Sequence, residues 1–224
     1  LDGALRFGSG RGVKLLVEKT PGLVQIDNNS FSPNMIPAHS FALLNPQSYN
    51  FSSGDYQLQA KAENISPSCN ASLNCLTNCG DRALRVRLEC TLEIKDAPLR
   101  ELIVQYEPSL SFSRVYGRFI NPQDYDLIEE KGTKKVKISF RKPVFGKVAF
   151  SLYFERELKK QDTFNVPSFK ILGAKSVRGY LMLAVDRGLE LEPQKLKHLT
   201  PVHPGSLPLR QKRLQFAYLF RNQD

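Results

Sequence analysis

Tryptophan is absent from this chain of 224 residues, and methionine and histidine are scarce, with two and three copies. No apolar run approaches the roughly 18 residues that a transmembrane helix needs, so the sequence predicts no membrane span. No basic stretch followed by an apolar run opens the chain, which predicts no signal peptide, and the start at Leu1 suggests a piece of a longer protein. Glycine and proline number 14 each, too few for a collagen-like or low-complexity chain.

Charged residues are missing from two long stretches near the start, residues 28–54 and 64–80. Residues 1–75 hold five residues of each sign, so the net charge of +10 comes entirely from the rest of the chain. We interpret this shift in composition as a domain boundary. It separates a polar, Asn- and Ser-rich β segment with a cysteine loop, residues 1–80, from a main β-sandwich domain, residues 81–224.

The motifs of common catalytic and metal sites are also missing. The chain has no G-x-S-x-G nucleophile elbow, no H-E-x-x-H pair and no phosphate-binding glycine loop. Its three histidines lack the spacing of metal ligands: His39, His198 and His203. Four acids share one short polar segment, as on a solvated face: Asp124, Asp126, Glu129 and Glu130. A glycosidase would instead need two carboxyl groups facing each other across a cleft. The sequence therefore predicts no enzyme, no cofactor and no metal site.

The alternation of apolar and polar residues is clearest at residues 84–95. Six apolar residues occupy every second position: Leu84, Val86, Leu88, Cys90, Leu92 and Ile94. A period of two places these side chains on one face of a β-strand, so we expect a central strand with one buried and one solvated face. The alternation recurs at residues 135–141 and 148–154, and the break between them, which contains Pro and Gly, predicts a hairpin.

Weaker patterns predict further short strands at residues 4–7, 13–17, 23–26, 41–44, 56–62, 102–106, 112–119, 169–172, 180–185 and 214–220. Residues 121–130 predict a helix, because Asn121 can cap it and Pro122 suits a first turn. Residues 191–209 are expected to form a long ordered connection to the last strand. Many short strands separated by turn residues predict an all-β fold. We expect an antiparallel β-sandwich, one large or two consecutive, with very little helix.

Four cysteines, Cys69, Cys75, Cys79 and Cys90, follow the spacing C-x5-C-x3-C-x10-C. This spacing lacks the C-x2-C pair of most structural zinc sites, and no histidine lies nearby. We therefore expect at least one disulfide among the four, with Cys69 and Cys79 as the preferred pair. Free thiols and a metal site are the alternatives. A disulfide would require an oxidising compartment.

Seven basic residues follow one another without an intervening acid: Lys131, Lys134, Lys135, Lys137, Arg141, Lys142 and Lys147. Side chains two residues apart on one strand face form a row that can track a repeating polyanion. We expect this run to bind anionic glycans or lipid head groups, with a solvated edge strand as the alternative. Four arginines can extend it: Arg85, Arg87, Arg114 and Arg118. The outward positions lack interleaved aromatic residues, which argues against nucleic acid as a partner.

Four short segments of the C-terminal third resemble one β-module of large uncharacterised bacterial envelope proteins. They are residues 179–185 (Gly-Tyr-Leu-Met-Leu-Ala-Val), 199–202 (Leu-Thr-Pro-Val), 207–208 (Leu-Pro) and 216–221 (Phe-Ala-Tyr-Leu-Phe-Arg). A strand, a connection that contains proline and a closing aromatic-rich strand make up the resemblance. It implies a structural or interaction module of a longer, membrane-associated protein, and it transfers no catalytic residue.

Together these features predict a non-catalytic β-sandwich module of a larger secreted or cell-envelope protein, with a structural, assembly or adhesion role. Its expected partners are other domains of the same longer chain or envelope proteins, and its expected location is extracytoplasmic. One alternative is a carbohydrate-binding or carbohydrate-processing domain, motivated by aromatic residues such as Tyr49, Phe51, Tyr56 and Tyr125. The lack of tryptophan argues against it. A second alternative is a lipid- or glycolipid-binding domain with an apolar groove between two sheets.

Overall fold

The computed structural model describes residues 2–31, 43–158, 163–207 and 213–222. β-Strands make up most of this part of the chain, and its only helical elements are two short 3₁₀ turns, Asn28–Ser30 and Pro204–Ser206. The prediction of an all-β fold with very little helix is confirmed. No helix among the described residues is long and apolar enough to cross a membrane.

Two compact units divide the chain, Leu1–Pro67 and Ser68–Asp224. The shift in composition predicted the boundary near residue 80 instead. The two boundaries differ because Ser68–Cys79, expected as a cysteine loop of the first unit, is a strand of the second. Every second residue of this strand is buried, and its alternating Cys, Ala, Leu and Thr side chains form one continuous inner face.

The first unit contains five strands in two small antiparallel sheets. The strands are β1 (Gly3–Ser9), β2 (Val13–Lys19), β3 (Val24–Ile26), β4 (Leu44–Phe51) and β5 (Gln59–Asn64). One sheet has the order β1-β4-β3, and β2 pairs with β5. Of the predicted strand at residues 41–44, residues 41 and 42 lie outside the described part, and Leu44 begins β4. Few side chains of this unit are fully buried in the part described, among them Phe31 and Tyr49.

The second unit contains nine strands in one continuous sheet. They are β6 (Ser68–Cys79), β7 (Ala83–Tyr106), β8 (Ser111–Gly117), β9 (Tyr125–Glu130), β10 (Thr133–Glu157), β11 (Phe169–Ile171), β12 (Ala174–Val185), β13 (Leu199–Pro201) and β14 (Leu214–Asn222). The hydrogen-bonded order is β13-β14-β12-β6-β7-β10-β8, with β11 attached to β7 and β9 to β10. The described pairs of this sheet are antiparallel except β6 with β12, which is parallel.

Two very long strands, β7 and β10, fold this sheet into two layers. Tyr106 is the last residue of β7, and Val86 lies near the start of the same strand. In a straight strand these two residues would be roughly 66 Å apart. Phe154 of β10 is the register partner of Val86. The rings of Tyr106 and Phe154 are nevertheless 4.9 Å apart, so both strands bend back over themselves. Asp96 and Gly146 have positive φ angles, 67° and 74°, and lie at the bend.

Each layer contains one half of both long strands. The larger layer consists of β13, β14, β12, β6, the first half of β7, the second half of β10, and β8. The smaller layer consists of β11, the second half of β7, the first half of β10, and β9. Phe154 of the larger layer packs its ring 5.0 Å from that of Phe169 of the smaller layer. This arrangement is the β-sandwich that the sequence predicted.

The strand predicted at residues 84–95 is the first half of β7 and lies between β6 and β10. Its six predicted core side chains are all 2% exposed or less. Burial of an aliphatic side chain contributes about 1.5–3 kcal/mol, so this row is a major source of the stability of the unit. The prediction of a central strand with this facing is confirmed.

The hairpin predicted from residues 135–141 and 148–154 is wrong, because the chain does not reverse between them. Both runs belong to β10, and both pair with β7. Val144 pairs with Leu99 inside the break, and the register shifts on either side of Val144. Extra residues of this kind bend a strand without ending it. The Pro and Gly of the break therefore mark the passage from one layer to the other.

The helix predicted at residues 121–130 is also wrong. Tyr125–Glu130 forms β9 and pairs with the start of β10. The side chain of Asn121 does not cap a helix but contacts those of Asp124 and Arg141. A helix this short is marginally stable on its own, so pairing with a long neighbouring strand decides the structure of the segment.

Candidate functional site

All four cysteines are buried free thiols, which contradicts the predicted disulfide. Cys69, Cys75 and Cys79 lie on the buried face of the same strand, β6. Cys69 and Cys79 are therefore about 33 Å apart along an extended strand, whereas a disulfide needs Cα atoms within about 7 Å. Cys90 of β7 is diagonal to Cys75, a separation of about 7–8 Å that also disfavours a bond.

Burial makes these thiols poor nucleophiles. It raises the pKa of Cys75 from 9.0 to about 12, and it raises the pKa of Cys90 as well. The pKa values of Cys69 and Cys79 are raised too, chiefly by burial. The thiolate is the form that attacks substrates and binds metals, so thiols that keep their protons do neither readily. In the part of the chain that the structure describes, no group of three or more His, Cys, Asp or Glu side chains could hold a metal ion.

The two described histidines lie in loops of the second unit. His203 Nδ1 accepts a hydrogen bond of 3.0 Å from the backbone N–H of Gly205 and so caps the 3₁₀ turn Pro204–Ser206. His198 is exposed and has a positive φ of 57°. His39 lies outside the described residues.

Strand pairing places acids beside the basic run of β10. Lys135 and Lys137 share the outward face of the strand, because Val136 between them is buried. Lys135 forms an ion pair of 3.0 Å with Glu130 at the end of β9, and Lys137 forms one of 2.9 Å with Glu101 of β7. The hydrogen bond to Glu101 raises the pKa of Lys137. Glu130 and Glu101 lie on the two strands that flank β10, and they partly neutralise the positive charge of Lys135 and Lys137.

The other basic residues of the run are not gathered in one place. Lys134 donates a hydrogen bond of 3.4 Å to the carbonyl oxygen of Leu110. Lys131 lies in the turn before β10, Lys142 lies at the bend, and Lys147 lies beyond it in the larger layer. Lys131 and Lys142 are separated by most of the first half of β10, on the order of 30 Å. Anion binding by the seven residues stays a prediction, and the geometry distributes them along the strand.

The aromatic residues that motivated the carbohydrate alternative are mostly covered. Tyr49 is buried, and Tyr125 is half-buried with its ring 4.8 Å from that of Phe112. Phe51 stacks on Tyr56 with ring centroids 4.5 Å apart, and Tyr56 is 40% exposed. Tyr56 is therefore the one ring of the four that is open to a ligand.

Arginine and tyrosine side chains form a row across the outer face of the larger layer. Arg114 of β8 is the register partner of Tyr153 of β10, which is in turn the register partner of Arg87 of β7. The guanidinium carbon of Arg114 lies 4.6 Å from the centre of the Tyr153 ring, a cation–π contact. Arg87 forms an ion pair with Glu89 on the same strand. We refer to Arg114, Tyr153 and Arg87 as the Arg–Tyr ladder.

Tyr116 extends this outer face to the edge of the sheet. It lies on β8 beside the ladder and is 74% exposed, more than any other large apolar or aromatic side chain described. Among the described strands β8 pairs with β10 alone, so it lies at the edge of the sheet, and the bridge of Gly117 to Ile120 touches only its last residue. The sequence indicated Arg87 and Arg114 as outward basic residues. It did not indicate Tyr116 and Tyr153, because their position beside the arginines depends on strand register.

No protein family matches the chain, and no curated protein matches it. Among solved structures, the chain is similar to a non-cellulosomal cohesin from the hyperthermophilic archaeon Archaeoglobus fulgidus, with a TM-score of 0.29 and 15% identity over 46% of this chain and 77% of the other. It is also similar to CaCohA2 from Clostridium acetobutylicum, with a TM-score of 0.32 and 8% identity over 46% and 74% of the two chains. Similarities this low decide neither fold nor function.

Proposed function

We propose that this chain is a non-catalytic binding module that docks a partner protein on the outer face of its larger layer, over the Arg–Tyr ladder and Tyr116. The observation that carries the proposal is the exposure of Tyr116, Arg114 and Arg87 on one face of a sheet, around the half-buried ring of Tyr153. Tyrosine and arginine are enriched at the positions that dominate binding energy in protein interfaces. Because Arg114 is already held against Tyr153, it loses less side-chain freedom on binding than a free arginine would.

The chemistry of the described side chains supports a role without catalysis. The cysteines are buried with raised pKa values, which leaves no activated thiol among the four. Three acids of this outer face are held in ion pairs, Glu155 with Arg85, Glu89 with Arg87 and Glu93 with Lys95.

We also propose that the module belongs to a longer secreted or cell-envelope protein and acts in assembly or adhesion. Its partners would be other domains of that chain or envelope proteins. The extracytoplasmic location draws on the resemblance of the C-terminal segments alone, because free thiols remove the argument from disulfides. The net charge of +10 favours acidic surfaces on the partner.

Photo-crosslinking at position 116 tests the docking face. A photoreactive amino acid there should give one discrete adduct with a protein from the source cells. The same amino acid at position 127 is the matched control, because Leu127 is 57% exposed on β9 of the other layer. The partner is then identified and purified, and Arg114→Ser or Tyr116→Ser should weaken its binding at least tenfold. Equal adducts at both positions, or binding unaffected by both changes, would contradict the proposal.

The carbohydrate and lipid alternatives predict a different dependence on residues. A glycan bound at the exposed ring of Tyr56 would be lost on Tyr56→Ala and unaffected by Arg114→Ser. Anionic head groups bound by the dispersed lysines would respond to Lys131→Ser and Lys142→Ser together. Binding of these variants to glycan arrays and to anionic vesicles distinguishes the three hypotheses of a protein, a glycan and a lipid partner.

A further inference from the structure

The strands at the edges of the second unit differ in how their free edges are protected. β11 and β13 have three residues each, and β13 ends in Pro201. β9 carries three acids in six residues, Asp126, Glu129 and Glu130. β8 is seven residues long and contains no proline; its one charged residue is Arg114, and its register with β10 shifts at Ser113. Short length, proline, charge and bulges are the usual means of preventing pairing with another chain. β8 is the longest of the described edge strands, so it offers the most backbone to an added strand.

The two faces of β8 offer different surfaces to an additional strand. Arg114 and Tyr116 are exposed on the outer face. On the inner face Val115 is buried, and Phe112 is half-buried with its ring 4.8 Å from that of Tyr125. A strand hydrogen-bonded to β8 would place alternate side chains on these two faces. Its outer side chains would meet a guanidinium group, and its inner side chains would cover the rings of Phe112 and Tyr125.

The segment that contains this edge strand carries charge of one sign, and the nearest described acid on the neighbouring strand, Glu155 opposite Ser111, already pairs with Arg85. The chain has no acid between Glu107 and Asp124, a span that includes the whole of β8. Arg118, directly after β8, is exposed and holds its guanidinium carbon 5.5 Å from the centre of the Phe119 ring. Arg114 and Arg118 therefore complement carboxylate side chains on an adjacent strand.

We propose that β8 accepts an added β-strand from a partner protein, and that this strand alternates acidic side chains on the outer face with apolar side chains on the inner face. The proposal rests on the proposed function, because it identifies the kind of segment that docks beside the Arg–Tyr ladder. Backbone hydrogen bonds to β8 supply affinity, and the alternation of acidic and apolar residues supplies specificity.

A synthetic peptide tests the proposal with the full chain. The probe is a fluorescent ten-residue peptide that alternates glutamate and valine and is blocked at both ends, and the readout is fluorescence anisotropy. The control peptide has the same composition, with its glutamates and valines in two blocks. We expect the alternating peptide to bind at least tenfold more tightly than the block peptide. Equal affinities, or no binding by either peptide, would overturn the proposal.

Methylation of the peptide backbone tests the hydrogen bonds separately. In an extended strand the N–H groups of alternate residues point to the same edge. One peptide is N-methylated at its glutamates and the other at its valines. Pairing with β8 along one edge predicts that one of them loses binding and the other keeps it. Binding that survives in both peptides, or that is lost in both, would overturn strand addition, and this result does not depend on any variant of the protein.

Charge reversal on the protein locates the binding edge. We expect Arg114→Glu to weaken the alternating peptide at least tenfold. Lys147→Glu makes the same change of charge at an exposed position on the same outer face, and it should alter the affinity by less than twofold. Circular dichroism confirms that both variants remain folded. Equal effects of the two changes would assign binding to overall charge and overturn the proposal.

Other outcomes separate the two proposals. If the partner crosslinked at position 116 binds through a helix or a loop, the docking face stands and strand addition is overturned. If crosslinking at position 116 gives no discrete adduct while the peptide pairs with β8, the docked partner of the proposed function fails and the open edge remains. Sedimentation without peptide is the last control, because a dimer that Arg114→Glu abolishes would assign the edge to a second copy of the chain and overturn the proposal.

Discussion

Gly179 occupies the point where β12 passes closest to β6. A Cβ atom added at this position would overlap the carbonyl oxygen of Leu73, a backbone atom that cannot move aside without disturbing the parallel pair. We expect Gly179→Ala to lower the free energy of unfolding by about 2–3 kcal/mol, as overpacking of a core does. Gly54 is the control, because an added Cβ there meets no atom within 4 Å. Urea denaturation should find Gly54→Ala nearly neutral, and a neutral Gly179→Ala would mean that β12 does not lie against β6.

Leu88 and Glu89 are neighbours on β7 with opposite facing. Leu88 is fully buried, so Leu88→Ala should cost about 2–5 kcal/mol through lost burial and the cavity that remains. Glu89 faces outward and pairs with Arg87 at a partly exposed position, so Glu89→Ala should cost less than about 1 kcal/mol. Chemical denaturation of the two variants measures the difference. Similar losses at both positions would invert the facing of the central strand.

The thiol of Cys75 links stability to alkaline pH. Its pKa is raised from 9.0 to about 12 by burial, so the folded state binds the proton more tightly than the unfolded state. This contribution is complete below about pH 9 and falls as the pH rises from 9 towards 12, by up to roughly 1.4 kcal/mol per pH unit. Under reducing conditions, the stability of the wild type should therefore fall faster with pH than that of Cys75→Ala. Parallel curves between pH 8 and 10.5 would show that this thiol is not buried.

At the scale of single elements, the sequence predicted β7 and missed β6. The alternation in β7 sets large aliphatic residues against charged ones, which gives a strong signal with a period of two. In β6 the inner positions hold Cys, Ala and Thr beside one Leu, and the outer positions hold Asn and Ser except for Leu76. Leu76 interrupts the alternation, and small, weakly polar side chains reduce its contrast. The treatment that placed Cys90 among the core residues, applied to Cys69, Cys75 and Cys79 as well, would have indicated this strand.

The bend of β10 and the strand β9 depend on partners that are distant in sequence. Val144 is held in the sheet by Leu99, and Tyr125 pairs with Ile138. Local residues alone favour a turn at the first place and a helix at the second, because Pro, Gly and an Asn cap are present. Cross-strand pairing overrides both local preferences. The partners of these residues follow from the register of the whole sheet and not from the local sequence.

The basic face of β10 gives a prediction for the strand as a whole. The triple change of Lys135, Lys137 and Arg141 to Ser should reduce retention on a heparin matrix only slightly, because two of the three already pair with acids. Contacts of this kind weaken steeply with salt. Changing Lys131, Lys142 and Lys147 to Ser should reduce retention more. Salt-gradient elution compares the two variants, and a larger loss from the first triple would mean that its ion pairs open to bind the matrix.

At the scale of the whole molecule, the class of fold was readable from the sequence and its division into units was not. Short alternating runs identified an all-β sandwich, because the period of two survives any topology. Uncharged, Asn-rich composition was interpreted as one polar segment, although it spans both the first unit and the buried strand β6. The distribution of charged residues indicates which positions of a strand face solvent. It does not indicate to which unit the strand belongs.

The candidate site was predictable only in part, for a related reason. The outward facing of Arg87 and Arg114 follows from local alternation, and the sequence indicated both. Tyr153 joins them through the register of three strands, and Tyr116 becomes prominent because β8 lies at the edge of the sheet. Edge position is a property of the assembled sheet, so no local pattern could identify the docking face.

The place of β6 inside the second unit is tested most directly by comparing two fragments, residues 68–224 and 81–224. β6 pairs with β7 on one side and β12 on the other, so its removal exposes two interior strands and the cysteine-lined core. Fragment 68–224 should unfold in urea in one cooperative transition, while fragment 81–224 should aggregate or unfold without one. Equal cooperative unfolding of the two fragments would contradict the division at Pro67 and Ser68 and the sandwich that carries the docking face.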